Sequence, residues 1–234
     1  MNTQARRLAA IGALAEPLRR DLYLFVAGAA EAVSRDQAAQ NFGVSRGVAA
    51  FHLDKLAALG LVDVEYRRPP GRGGPGAGRP AKFYRRALGE VSFSVPARDY
   101  EVAGHLLAEA VTVSARRRIP VARASREVAR KFGRSLGLRA RQLAGVEPTT
   151  TEVMDAALSA LSDCGYEPRR DGASVALANC PFHSLAEEYR DLVCGMNLEL
   201  MAGFTEELQG AELEARLEPV DGQCCVRLTT PGSP

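Results

Sequence analysis

Four of the five cysteines lie after residue 179, at Cys180, Cys194, Cys224 and Cys225, and the first opens the run Cys180-Pro181-Phe182-His183. Thiolate sulfur is a soft donor. Three such side chains with His183 or an outside ligand suit zinc or an iron–sulfur cluster. The intervals are long, thirteen residues and then twenty-nine, unlike the tight pairs of a zinc knuckle. Separate elements of the fold must therefore bring the sulfurs together. The competing reading makes them small buried hydrophobes, a common fate of free cysteine. In a reducing compartment disulfides are not expected. An enzymatic use, with Cys180 as nucleophile and His183 as its base, lacks a third residue at recognisable spacing to orient the pair. The chain is read as a non-enzyme.

A straight helix from His183 to Cys194 would hold those residues ~16 Å apart, too far for one ion. Tyr189-Arg190-Asp191 offers a break, with Asp191 capping a new helix at Leu192. Cys194 then falls in a first turn, where the helix dipole favours a thiolate. Cys180 follows a short strand over 174–178. Residues 212–218 and 224–228 form a hairpin turning at Asp221-Gly222. Either Cys224 or Cys225 opens its second strand, and since strand neighbours point to opposite faces, one of the two faces the site. The metal-ligand candidates are thus Cys180, His183, Cys194 and one of the pair Cys224 and Cys225. Cys164, at the end of a helix over 151–164 closed by Gly165, reads as a packing residue.

A second constellation spans residues 38–86. Helices are expected over 4–15 and 17–27, with Pro17 at the first position of the second. Ser34 and Gln37 form a capping box for the next, which ends near Phe42. Gly43 suits a turn and Ser45 an N-cap. The run VSRGVAAFHLDKLAALGLV follows, with Val48, Phe51, Leu53, Leu56 and Leu59 as apolar candidates and Gly60 as its stop. Strands are expected over 61–66 and 81–86 around a loop rich in Pro, Gly and Arg. Helix, turn, helix and hairpin make a winged helix-turn-helix, which sets one helix in the major groove of double-stranded DNA.

Early positions of that helix, Ser45, Arg46 and Ala49, then meet base edges, with His52 and Lys55 further along; Phe51 is assigned to the core. Between residues 67 and 86 stand seven basic residues and no acid. Of these, Arg67, Arg68, Arg72, Arg79 and Lys82 are the phosphate and groove candidates. Gly78-Arg79-Pro80 matches, over three residues only, a core that inserts Arg into AT-rich minor grooves.

The net charge of +2 hides an asymmetry. Residues 1–145 carry 25 Lys/Arg and 12 Asp/Glu, whereas 146–234 carry 5 and 16. A basic front suited to a polyanion and an acidic back divide the chain. No run of about 18 residues is free of charge, so no membrane span is expected, nor does the N-terminus read as a secretory signal; a cytoplasmic location is the default. The expected class is α+β in three parts: a winged helix-turn-helix (1–90), central helices (91–147) and a small α+β sensor domain (148–230). Val102, Leu106, Ala110 and Val113 stripe one face of a helix over 99–118, a face for pairing with a twin in a homodimer on a palindromic operator. A basic helix over 121–143 is expected to break at Gly133 and Gly137.

The N-terminal third, in AEPLRRDLYLFV, VSRGVAAFHLDKLAALGLV and GRPAKFYRR, resembles the ArsR-like and DeoR-like winged-helix regulators. The C-terminal part, in NCPFHSLAEEYRDLVCGMNLELMAGF and DGQCCVRL, resembles regulators related to the SufR repressor of iron–sulfur assembly genes. That resemblance implies a homodimeric repressor whose cysteine-bound cluster reports iron, sulfur or oxidant status, with Cys180, Cys194 and Cys224 as ligands. The Cys-Cys pair and His183 depart from the pattern and keep zinc open as the metal.

Overall fold

Local capping chemistry delimits the elements of this chain, whose computed structural model describes residues 3–67, 80–172, 174–208, 210 and 212–231. Two units result, residues 1–93 and 94–234, each with its own hydrophobic core.

In the first unit α1 (Thr3–Ala13) and α2 (Pro17–Gly28) precede β1 (Val33–Ser34), α3 (Arg35–Phe42), α4 (Arg46–Ala58), β2 (Val62–Arg67) and β3 (Ala81–Arg86). Pro17 starts α2, where a missing N–H costs nothing, and the Glu16 carboxylate accepts from the amides of Leu18 and Arg19. The Ser34–Gln37 capping box forms as expected. Gly43 closes α3 at φ +64°, a conformation that a side chain resists. The Ser45 hydroxyl then accepts the Val48 amide at 3.3 Å to open α4. β2 and β3 pair antiparallel from Val62↔Arg86 to Arg67↔Ala81, and β1 lies on the other side of β3. Leu22, Val26, Ala49, Leu53, Leu56 and Tyr84 fill the core. Phe51, expected there, is 63% exposed. The helical period that buries Leu53 and Leu56 selects Ala49 and turns Phe51 outward.

The second unit contains α5 (Tyr100–Arg117), α6 (Val121–Leu143), α7 (Thr150–Asp163), β4 (Pro168–Asp171), β5 (Ser174–Leu177), α8 (His183–Glu188), α9 (Arg190–Glu206), β6 (Glu214–Leu217) and β7 (Val226–Thr229). Its antiparallel sheet runs β4-β5-β7-β6. Strand β4 was not visible in the sequence: Pro-Arg-Arg-Asp has no apolar alternation, as befits an edge strand begun by proline. The helices α5 and α6 share one core with α7, α9 and the sheet.

Glycine governs the contact between α6 and α9. A Cβ at Gly133 would lie 1.9 Å from the Leu200 carbonyl oxygen, at Gly137 2.4 Å from that of Phe204, and at Gly203 2.1 Å from that of Arg130. Gly133 and Gly137 therefore do not break α6, which runs unbroken over 23 residues; they let two helix backbones touch. Arg130 bridges Glu199 at 2.6 Å and also pairs with Glu206, to which Arg134 adds a 2.7 Å bond. The basic helix is thus matched to an acidic one within its own unit. The charge division does not fall at the unit boundary: residues 1–93 hold 14 Lys/Arg against 8 Asp/Glu and 94–234 hold 16 against 20, so part of the basic excess of residues 1–145 lies in the second unit. No helix among the described residues is long and apolar enough to cross a membrane.

Gly133→Ala is expected to destabilise the chain by about 3 kcal/mol or more, because its Cβ meets backbone that cannot yield. Gly104→Ala, in α5 with no atom within 4 Å of the new Cβ, is expected to stabilise by roughly 0.5–1 kcal/mol. Urea unfolding of both variants measures the difference.

Candidate metal centre

Three elements deliver the thiols. Cys180 lies just beyond β5, on a loop pinned by Asn179, whose amide donates to Ala97 O at 2.7 Å and Gly165 O at 2.6 Å and whose oxygen accepts from Arg98. Asp99 N–H also donates to Pro181 O at 3.0 Å. The Cys180 loop is therefore bonded on both sides to residues 97–99, the segment that leads into α5.

Tyr189 breaks the helical run, ending α8 and preceding α9. The break expected from the sequence is present, but α9 starts at Arg190 without a side-chain cap, so Asp191 is not its cap. Cys194 becomes the fifth helical residue, beyond the four amides left free at a helix start. It gains nothing there as a thiolate: burial, then its contact with Cys225, push its thiol up to about 12.

The Cys224 amide donates to Leu177 O at 2.8 Å and fixes the approach to β7 beside the end of β5. Cys224 is buried and its thiol interacts with those of both Cys180 and Cys225, and Cys225 in turn with that of Cys194. Both members of the pair therefore join the site, one on each side, where one was expected. The four sulfurs form a row, Cys180–Cys224–Cys225–Cys194. Among the described residues, no three His, Cys, Asp or Glu side chains are gathered as a ready-made metal shell.

Buried polar groups serve this row. The Asn197 amide donates to Cys224 Sγ at 3.2 Å, and its oxygen accepts from the Tyr166 hydroxyl at 2.5 Å. The backbone amides of Phe182 and Val226 donate to Cys180 and Cys224. Cys225 is brought down to about 6 by the Cys224 thiol, against burial, with help from Cys194 and Arg190. Cys180 is lowered by the same Cys224 thiol, and Cys224, donor to both, is raised. Lowered and raised thiols thus alternate along the row. N–H···S bonds, a nearby guanidinium and soft donors are what a thiolate-bound metal group requires. A pocket of about 500 Å³, lined by Cys194, Cys225, Arg126, Arg190 and neighbours, opens on one end.

His183 does not join the sulfurs. It is half-exposed on α8, with Nε2 3.3 Å from Glu187 of the next turn. Cys164 stands apart as expected, its thiol pushed up to about 11 by burial and by Asp99 and Asp163. Sequence reading missed Asn197, Tyr166, Arg98 and Arg190. A lone Asn amid the apolar run of residues 192–201 was the signal available for the first.

In the first unit Arg46 is exposed, its Nε 2.7 Å from Asp36, and Lys55 is exposed. Ser45 spends its hydroxyl oxygen on the helix cap. Ala49 is fully buried and offers no outer surface. The His52 ring is mostly buried, with Nδ1 3.3 Å from Glu16. Arg67 lies over the Phe83 ring and pairs with Glu65. Lys82 is held by Asp54, which also accepts from the Tyr84 hydroxyl at 2.7 Å. Arg68, Arg72 and Arg79 fall outside the described residues.

No family model, no curated protein and no solved structure matches the chain.

In the metal-free chain Cys225 is expected to alkylate first, its rate rising through about pH 6, whereas Cys194 stays slow until its pKa of about 12 is approached. Peptide mapping after a pH series of iodoacetamide labelling reads both rates; similar profiles would contradict the alternation.

Proposed function

We propose that this protein is a DNA-binding transcription regulator, a repressor, whose row of cysteines holds an iron–sulfur cluster and reports iron or redox status. The observation that carries the reading is the convergence of four thiols from three separate elements, served by N–H···S bonds. Cys180, Cys194, Cys224 and Cys225 would hold the cluster, which supplies redox and oxygen sensitivity when bound. Zinc at the same thiols is the alternative.

The first unit supports the DNA half of the reading. The α3–Gly43–α4 corner followed by the β2–β3 hairpin has the order of a winged helix-turn-helix. Its balance of 14 basic against 8 acidic residues suits a polyanion. On the exposed face of α4, Arg46 and Lys55 meet DNA, together with Phe51, whose ring suits a thymine methyl. Buried Ala49 and Asp54-bound Lys82 are withdrawn from the contact set. A homodimer would read a palindromic operator.

Signal transfer follows the bonds. The Cys180 loop holds residues 97–99, and Cys194 rides on α9, whose backbone is locked to α6. Rearrangement of the sulfurs on cluster loss thus bears on the entry to α5 and on α6 together. A coupling of about 1–3 kcal/mol is enough to switch operator affinity five- to 150-fold.

Duplexes selected by the protein from a random library give the test. Binding should change at least about fivefold between cluster-loaded and cluster-free protein. Log affinity should fall against log salt by ~0.9 per phosphate contact. Asn179→Ala should keep the cluster and lose the response, and Cys194→Ser should lose both cluster and response. Equal affinity in the two states, or a normal response in Cys194→Ser, would remove the sensing role; absence of any selected duplex would remove the DNA role.

A further inference from the structure

The pocket beside the sulfur row is lined by two thiols and two arginines. Of the four thiols in the row, Cys194 and Cys225 line it, and these two are hydrogen-bond neighbours. Cys225 is half-buried and Cys194 is buried. Arg126 lies across the α9 backbone at Gly195, where an added Cβ would be 3.3 Å from its Nε and Nη2. Arg190 stands at the start of α9, close enough to act on both thiols. Among the described residues neither arginine has a carboxylate at ion-pair distance, whereas Arg123, Arg130 and Arg134 on the same α6 are all paired. Of the pocket's two acids, Glu199 is engaged by Arg130, leaving Asp191 against two guanidinium groups.

We propose that in the metal-free chain this pocket is a thiol–disulfide exchange site for a low-molecular-weight disulfide bearing carboxylates, with Cys225 attacking and Cys194 resolving. A guanidinium presents a fork that matches a carboxylate, so Arg126 and Arg190 hold the acid groups while the S–S bond sits over Cys225. The Cys225 sulfur bonds to one sulfur of the bound disulfide, whose S–S bond breaks. The first half leaves with the electron pair and takes up the proton lost by Cys225. Cys194 then attacks the Cys225 sulfur, expels the second half with its own proton, and closes a Cys194–Cys225 bond. Two protein thiols are oxidised and one external disulfide is reduced to two thiols. The product withholds two donors from any metal. The exchange itself needs no cluster and does not rest on the preceding proposal.

The full chain, freed of metal by anaerobic chelation, is treated with oxidised glutathione and separately with uncharged hydroxyethyl disulfide. The expected result is loss of two thiols with no retained glutathione, and a crosslink between the peptides carrying Cys194 and Cys225, kept in Cys224→Ser. Cys194→Ser should retain one glutathione on Cys225. The Arg126→Ala, Arg190→Ala double variant should react about tenfold more slowly with oxidised glutathione (~1.4 kcal/mol) and at an unchanged rate with the uncharged reagent. That second rate also shows that the thiol site is intact. Equal slowing with both reagents, a bridge through Cys224, or glutathione held unresolved by the unsubstituted chain would overturn the proposal. Because mass and thiol count are read on metal-free protein, the outcome is the same whether or not the isolated chain carries iron.

Discussion

Backbone contact between α6 and α9 is the constraint on which the second unit depends. Helix association at this range leaves no room for a Cβ at Gly133, Gly137 or Gly203, and each glycine in a helix interior costs roughly 0.5–1 kcal/mol relative to alanine. That cost is offset by what close approach makes possible. Met196, Leu200 and Phe204 are driven into one core with Val128 and the sheet, while Arg130 and Arg134 reach the carboxylates of Glu199 and Glu206. With α9 fixed in this way, the position of Cys194 near its start is fixed as well.

Around that fixed helix the sulfur row is assembled by short-range bonds. Asn179 anchors the loop of Cys180, Leu177 anchors Cys224, and Asn197, itself on α9, links the helix to Cys224 through its amide. The Tyr166 hydroxyl sets which end of that amide faces sulfur, because the amide oxygen is already accepting. An unpaired amide at this depth would be costly, so the Tyr–Asn–Cys arrangement is satisfied throughout. The site is thus part of the hydrophobic core on one side and open to a cationic pocket on the other.

Local chemistry was legible in the sequence and long-range packing was not. The Ser34–Gln37 box, Gly43, Ser45, Gly60 and the Asp221-Gly222 turn all act within a few residues, and each element they delimit lies where its signals predict, within one or two residues. Gly133 and Gly137 carried the opposite meaning from their local one, since a glycine's reason to be in a helix stands on another helix. Phe51 was assigned inward because hydrophobicity alone does not distinguish a core face from an exposed one. For the site, the cysteine spacing and the break at Tyr189 were legible, while the pairing of Cys180 with Cys224 and of Cys194 with Cys225 was not. The inclusion of Cys225 and the exclusion of His183 depended on which neighbours β7 and α8 present, and those lie far away in the chain.

The proposed role makes the row of sulfurs a cofactor centre and not merely part of the core. The most direct test is iron and sulfide analysis, with the visible absorption spectrum, of the full chain isolated without oxygen. The expected result is a coloured protein with broad visible absorbance that air bleaches, bound iron and acid-labile sulfide, and loss of all three on substitution of Cys194 or Cys224. A colourless protein with no iron and five free thiols would contradict it.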